Sequence, residues 1–208
     1  AFDAANVDTV IATATGALGA AIGVVTNVIT TDHSTGVVVT GTSTDKSSLT
    51  GTSVSVDADA KEGISSLLIA ASGAQYAAVS ASANVNRQLS DVSAAVDQAE
   101  VLGSFAQNAN YLGKITTSAI TAAGSQYAAV PISVVINYAD NAVFSSVAHS
   151  ILRAEGQSAS VGANRISEFS SLNVTASGAM YGAAAGLVNV NTIEGATSAE
   201  VNDSEVKA

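Results

Sequence analysis

The chain has no cysteine and no tryptophan, one proline, one methionine, and aromatic residues at only 4% of 208 positions. Without cysteine there is neither a disulfide scaffold nor a thiolate metal site. Seven Lys and Arg stand against seventeen Asp and Glu, a net charge of −10, so nucleic acid is excluded as a partner. Its phosphates call for clustered basic residues that release counterions. Charged residues are 12% of the chain and histidines number two, which leaves little material for acid–base chemistry. A glycosidase cleft combines paired carboxylates with sugar-stacking aromatics, and the shortage of rings argues against one. Leu, Glu and Lys are too sparse for helical heptads. The start, Ala1-Phe2-Asp3, has no basic n-region, so any export signal is expected to lie outside this sequence.

What is present is small. Ala, Ser, Val, Thr and Gly supply 130 of the 208 residues. With 48% hydrophobic residues the chain is not disordered, and its Val, Ser, Thr and Gly favour strands and turns. The fold class expected is all-β.

Four segments align without gaps on Gly16, Gly73, Gly124 and Gly178, at spacings of 57, 51 and 54 residues. They read GALGAAIGVVTNVI, GAQYAAVSASANVN, GSQYAAVPISVVIN and GAMYGAAAGLVNVN. Gly19 in the first copy becomes Tyr76, Tyr127 and Tyr181; Ile29 becomes Asn86, Asn137 and Asn191. Within each copy apolar residues alternate, as Ile22, Val24, Thr26, Val28 or Val130, Ile132, Val134, Ile136. That period of two marks a half-buried strand, and these residues are expected to face inward. The polar break at Asn86-Arg87-Gln88 predicts a turn, after which Val39, Val96, Val147 and Val201 open a second strand. Four units follow, 9–52, 65–101, 116–152 and 170–208, in a single array, with variable loops from spacers 42–64, 102–117 and 153–171. Units this short cannot bury a face alone and must stack. The favoured arrangement is a β-solenoid; the alternative is a sandwich or barrel in which the turns close hairpins. Pro131 falls on the outward parity and predicts a bulge, an edge or a strand boundary.

Asp8 and Asp32 enclose 23 uncharged residues containing Gly19-x-x-x-Gly23, which resembles a transmembrane helix pattern. The same stretch aligns with three copies that carry Arg87, Asp140 or Glu194 nearby, so a strand is expected and no membrane span. Asp32 and His33 read as solvated turn residues, and no G-x-S-x-G elbow accompanies them. His149 shares its slot with Gly41, Gln98 and Asp203, residues too unlike to suggest a role. Asp57, Asp59 and Glu62 are weak calcium candidates, as alternating oxygen ligands can suit that ion; a solvated strand face is preferred, with no cofactor expected. The tyrosines are expected to pack over the marker glycines as a stacked ladder, or to form an exposed binding strip. The asparagines are expected at a strand-to-turn corner, with an amide ladder if the units stack. Asn173-Val174-Thr175 and Asn202-Asp203-Ser204 match the N-glycosylation tripeptide.

The fourth copy, Ser177 to Ala208, has a cadence of small-rich strand, V-N-V-N, short turn, T-S-A-x-V and x-S-x-V-x-A. It resembles the repeats of very large bacterial surface proteins, the leukotoxin-like filamentous adhesins, and is similar to autotransporter or two-partner-secreted passengers. Copies two and three carry looser versions, and the first lacks the Tyr and the second Asn. The resemblance covers the repeat cores and not the spacers. It implies an extracellular stalk or adhesive passenger, a host or cell-surface receptor, neighbouring repeats of a larger chain as partners, and no catalytic residues. Runner-up readings are a self-assembling, pilus-like filament with strand exchange between copies and a β-helical carbohydrate-active enzyme using Asp32, His33, Asp57, Asp59, Arg153 and Arg165.

Overall fold

A computed structural model describes residues 1–207, all of them in strands or the short segments joining them. In chain order the strands are β1 (Phe2–Ala17), β2 (Ala20–Thr40), β3 (Ser47–Ala74), β4 (Ala77–Asp97), β5 (Ala99–Ser125) and β6 (Ala128–Ala148). They continue as β7 (Ile151–Arg153), β8 (Ala159–Gly178), β9 (Gly182–Ala183), β10 (Gly186–Glu194), β11 (Thr197–Asn202) and β12 (Glu205–Lys207). Odd members up to β5 join β7, β8 and β12 in one sheet; β2, β4 and β6 join β9, β10 and β11 in the other. We call these the first and second sheets.

Every ladder among the described residues is parallel. The turns therefore pass the chain from one sheet to the other and do not close hairpins, which removes the hairpin sandwich or barrel. Pairing follows the repeat: Gly16 lies beside Gly73, Gly73 beside Gly124, and Gly124 beside Gly178 in the first sheet. In the second sheet Ile29, Asn86, Asn137 and Asn191 stand in one row. At 28 residues, β3 far exceeds the usual strand of about 5–6 residues and spans about 90 Å at about 3.3 Å per residue.

The strands extend beyond the segments predicted to be strand. β4 runs unbroken through Asn86-Arg87-Gln88, so there is no turn there. The spacers are largely strand too, since β3 includes Val54 to Ile64 and β5 includes 104 to 117; loops survive only around 41–46 and 154–158. The alternation Val54-Ser55-Val56-Asp57-Ala58-Asp59 already carries the strand period. The chain instead turns at two other places. One is the tyrosine position, with bends at Leu18-Gly19, Gln75-Tyr76 and Gln126-Tyr127. The other is the slot of Gln98, His149 and Asp203, which have φ of 51°, 47° and 46°. A single left-handed residue turns the chain from the second sheet to the first, and polar side chains tolerate that conformation better than branched ones. The first copy turns through the longer loop 41–46 at this point, which is one source of the unequal repeat spacings.

The facing is opposite to the one predicted. Ile22, Val24 and Val28 are 69%, 59% and 70% exposed, while the buried residues of β4 are Ala78, Ser80, Ser82, Asn84, Asn86, Gln88, Ser90, Val92, Ala94 and Val96. The reason lies at the Gln98 corner. Val56, Val96, Val101, Phe105, Val147 and Leu152 form an apolar cluster between the sheets there. A strand without a bulge keeps one parity along its length, so burying Val96 carries Asn86 and Ser80 inward with it. Pro131 is accordingly inward, buried opposite Ser80, and not outward. It has no N–H to donate, and the ladder from β6 to the last copy lapses beside it at Ala184–Ala185, between β9 and β10.

Candidate functional site

The inward parity fills the space between the sheets with hydrogen-bonding side chains. Asn86 Nδ2 donates to Asn137 Oδ1 at 2.9 Å, and Asn137 Nδ2 donates to Asn191 Oδ1 at 2.8 Å. This amide ladder lies in mid-strand, not at a corner. Thr117 Oγ1 from the facing sheet donates to Asn137 Oδ1 at 2.8 Å, and Asn86 Nδ2 also reaches Thr117 at 2.9 Å. Asn86 Oδ1 is buried without a donor; the neighbour in that direction is Ile29, which has none to offer. A second group links Ser82 to Thr121 at 2.6 Å and to Ser133 at 2.9 Å.

Glu62 sits inside this polar band, 4% exposed. It accepts hydrogen bonds from Thr31 Oγ1 at 3.4 Å, from Tyr111 Oη at 3.4 Å and from Ser90 Oγ. Burial raises its carboxyl above the ordinary range, opposed by the bond from Ser90 and the nearby His33. Burial also raises the Tyr111 phenol, with the charge of Glu62 adding to it. Glu62 is thus not on a solvated face as expected; its parity is that of Ala58, Ala60, Ile64 and Leu68, all buried.

The calcium candidates are split. Asp57 and Asp59 share the outer face of β3, accepting from Asn108 Nδ2 at 2.9 Å and Asn110 Nδ2 at 2.7 Å, whereas Glu62 points the other way. Hydrogen bonds from Ser55 and Asn108 hold Asp57 below the usual carboxylate range. Among the described residues no group of three or more His, Cys, Asp or Glu is placed to hold a metal ion. The six residues suggested for an enzyme are also dispersed. Asp32 is on the outer face of β2, and His33 is inward, 3.5 Å from Asp3; both lie within a strand, not a turn. Arg153 pairs with Glu100 at 3.1 Å. Arg165 points inward and donates to the carbonyls of Asn141 and Glu194. His149, at its corner, has Nδ1 3.0 Å from Asp97 and Nε2 3.9 Å from Asp203.

On the outside, Tyr76, Tyr127 and Tyr181 stack with centroids 5.5 and 5.2 Å apart and planes within 17°. The row is exposed at the turn between the sheets. It does not cover the marker glycines, since a Cβ added at Gly73, Gly124 or Gly178 would meet nothing within 4 Å. An open depression of about 420 Å³ lies on the first sheet, lined by Asn6, Asp8, Lys61, Gly63, Lys114 and Glu168 among others. Its floor is bare backbone at Gly63, where an added Cβ would require the Asn6 side chain to shift. The second sheet presents the aliphatic residues that were expected inside. Of the glycosylation tripeptides, Asn173 turns its side chain inward, its Nδ2 donating to Val188 O at 3.3 Å, while Asn202 is exposed.

No helix of the described residues is long and apolar enough to cross a membrane. Comparison with known protein families, with curated proteins and with solved structures finds no match to this chain.

Proposed function

We propose that the chain is a four-rung segment of β-solenoid serving as a structural or adhesive element of a bacterial cell surface, without catalytic activity. The observation that carries this reading is the identity of two offsets. The repeat spacing is also the pairing offset in both sheets, so each unit supplies one rung and one rung supports the next. The resemblance of the fourth copy to filamentous adhesin repeats points the same way. Dispersed carboxylates and histidines favour a role through shape over a carbohydrate-active enzyme. The surface open to a receptor is the flat outer faces and the two short loops at 41–46 and 154–158, not long spacer loops.

A second reading, a filament of copies joined edge to edge, is favoured by the open edges of β1 and β2 at one end of the stack and of β8 and β10 at the other. Antibodies raised against the purified chain test the location: they are expected to label intact producing cells, and labelling only after permeabilisation would overturn the proposal. Electron microscopy of the same protein separates the readings. Single plates support a segment, whereas fibres growing along the stacking direction support the filament.

A further inference from the structure

Parallel sheets normally have both faces covered, yet the outer face of the second sheet is bare. From the row of Ala20, Ala77, Ala128 and Gly182 to the row of Val28, Val85, Ile136 and Val190, no outward position carries a charge. Ile22, Val24 and Val28 are more than half exposed, and Ile132, Val188 and Val190 nearly so. Patches of this kind on a soluble chain mark interaction surfaces. We propose that this face is a dimer interface, covered by the same face of a second copy of this chain.

Two features select that occupant. The first is area. Nine residues along four strands cover about 570 Å² per copy, at about 3.3 Å per residue and 4.8 Å per strand. A pair therefore buries about 1,100 Å², just above the roughly 1,000 Å² that a specific interface should clear. The second is charge. Beyond the patch come Arg87 and Tyr138, with the guanidinium 5.7 Å from the ring centroid, and then an acidic row of Asp32, Asp140 and Glu194. A twofold axis running along the stacking direction through the row of Val24 and Ala81 reverses the strands of the second copy. The acidic row of each copy then projects past the interface, and the tyrosine row of one approaches the Arg87 row of the other. An axis along the strands would lay acid on acid, so of these two the charge pattern favours the first. Such a contact is isologous and closes at two copies, unlike an edge-to-edge filament, and it stands independently of where the protein resides.

Sedimentation velocity over a concentration series tests this. The wild-type chain is expected to run at twice the mass of one chain, and Ile132→Glu at the mass of one with its circular dichroism unchanged. Phe144→Glu, on the same face but beyond the patch, is expected to leave the dimer intact. Because the chain lacks cysteine, Ala81→Cys gives a second reading that needs no disruptive change. A short bis-maleimide should couple two copies through position 81 and fail with Ser146→Cys. A wild-type chain that stays monomeric throughout, an oligomer untouched by Ile132→Glu, or coupling at 146 in preference to 81 would each overturn the proposal. So would a monomer that partitions onto neutral phosphatidylcholine vesicles, since lipid would then be the occupant.

Discussion

The two halves of the interior are built on different principles. Around the Gln98 corner, Val96, Val101, Phe105, Val147 and Leu152 pack as an ordinary apolar core, each no more than 2% exposed. In the middle of the same strands Asn86, Thr117 and Asn137 are buried as deeply and Glu62 nearly so, and their hydrogen bonds run beside smaller apolar clusters such as that of Ile29, Ile64 and Ile115. The apolar end gains free energy from surface removed from water. The polar middle gains little net for each bond made but loses much for each bond left unmade. The corner therefore chooses which parity is inside, and the middle fastens that choice by making the alternative partners costly.

The largest effect is expected at the apolar end. Phe105→Ala removes a ring that is 2% exposed and should destabilise by about 3–5 kcal/mol, the range for aromatic truncation in a core. Phe144→Ala, whose ring is 44% exposed on the outer face, should stay within about 0.5 kcal/mol. Urea denaturation of both variants measures the contrast. Equal losses would mean that the corner does not choose the parity.

Next comes the amide ladder. Asn137→Leu is close in volume but leaves Thr117 Oγ1 without its acceptor and Asn191 Oδ1 without its donor. A loss of about 1–3 kcal/mol is expected, the range for orphaning buried polar partners. A neutral or stabilised Asn137→Leu in the same denaturation experiment would reduce the ladder to packing.

Glu62 adds a dependence on pH. Its folded carboxyl is raised by burial, so the folded state holds the proton more firmly than the unfolded chain does. Its unfavourable contribution is absent below the unfolded pKa and grows as pH rises through the raised folded value, levelling off above it. Glu62→Gln should therefore flatten the decline of stability from acid towards neutral pH. Asp57, lowered in the fold, works in the opposite sense, so the wild-type-minus-variant difference is the informative curve. A difference that does not change with pH would place the charge of Glu62 in water.

These positions also show how much could be read from residues alone. The repeat, the all-β class and the stacking of Tyr and Asn at fixed offsets follow from period and spacing. The facing does not, because alternation states that two faces differ and leaves open which of them is inside. Ser80, Ser82 and Asn84 read as solvent-facing by polarity, yet all three are inside: Ser82 bonds to Thr121 and Ser133 and Asn84 to Ser66 and Asn27, while Ser80 Oγ is buried without a partner between Gly23 and Pro131. The corner was hidden for another reason. Gln98, His149 and Asp203 share a backbone angle and no side-chain chemistry, and a comparison of side chains passes over them. Glu62 was legible in principle, since its parity matches Ile64 and Leu68, but only once the inner face had been assigned correctly.

The smallest effect belongs to the exposed tyrosines, which belong to neither half. Tyr127 stacks on two rings and Tyr76 on one, and the first copy has Gly19 at that position. Aromatic pairs contribute about 0.5–1.5 kcal/mol beyond their burial, and the lower end applies where water reaches the rings. If the row acts as a ladder, Tyr127→Ser should cost about twice as much as Tyr76→Ser, on the order of 1 kcal/mol against half that. It should also remove more of the near-ultraviolet dichroism, because it separates the two remaining rings. Equal losses from the two substitutions would mean that each ring acts on its own turn. The stack would then be a consequence of the strand register and not a contributor to it, leaving the interior as the sole source of the registration between copies.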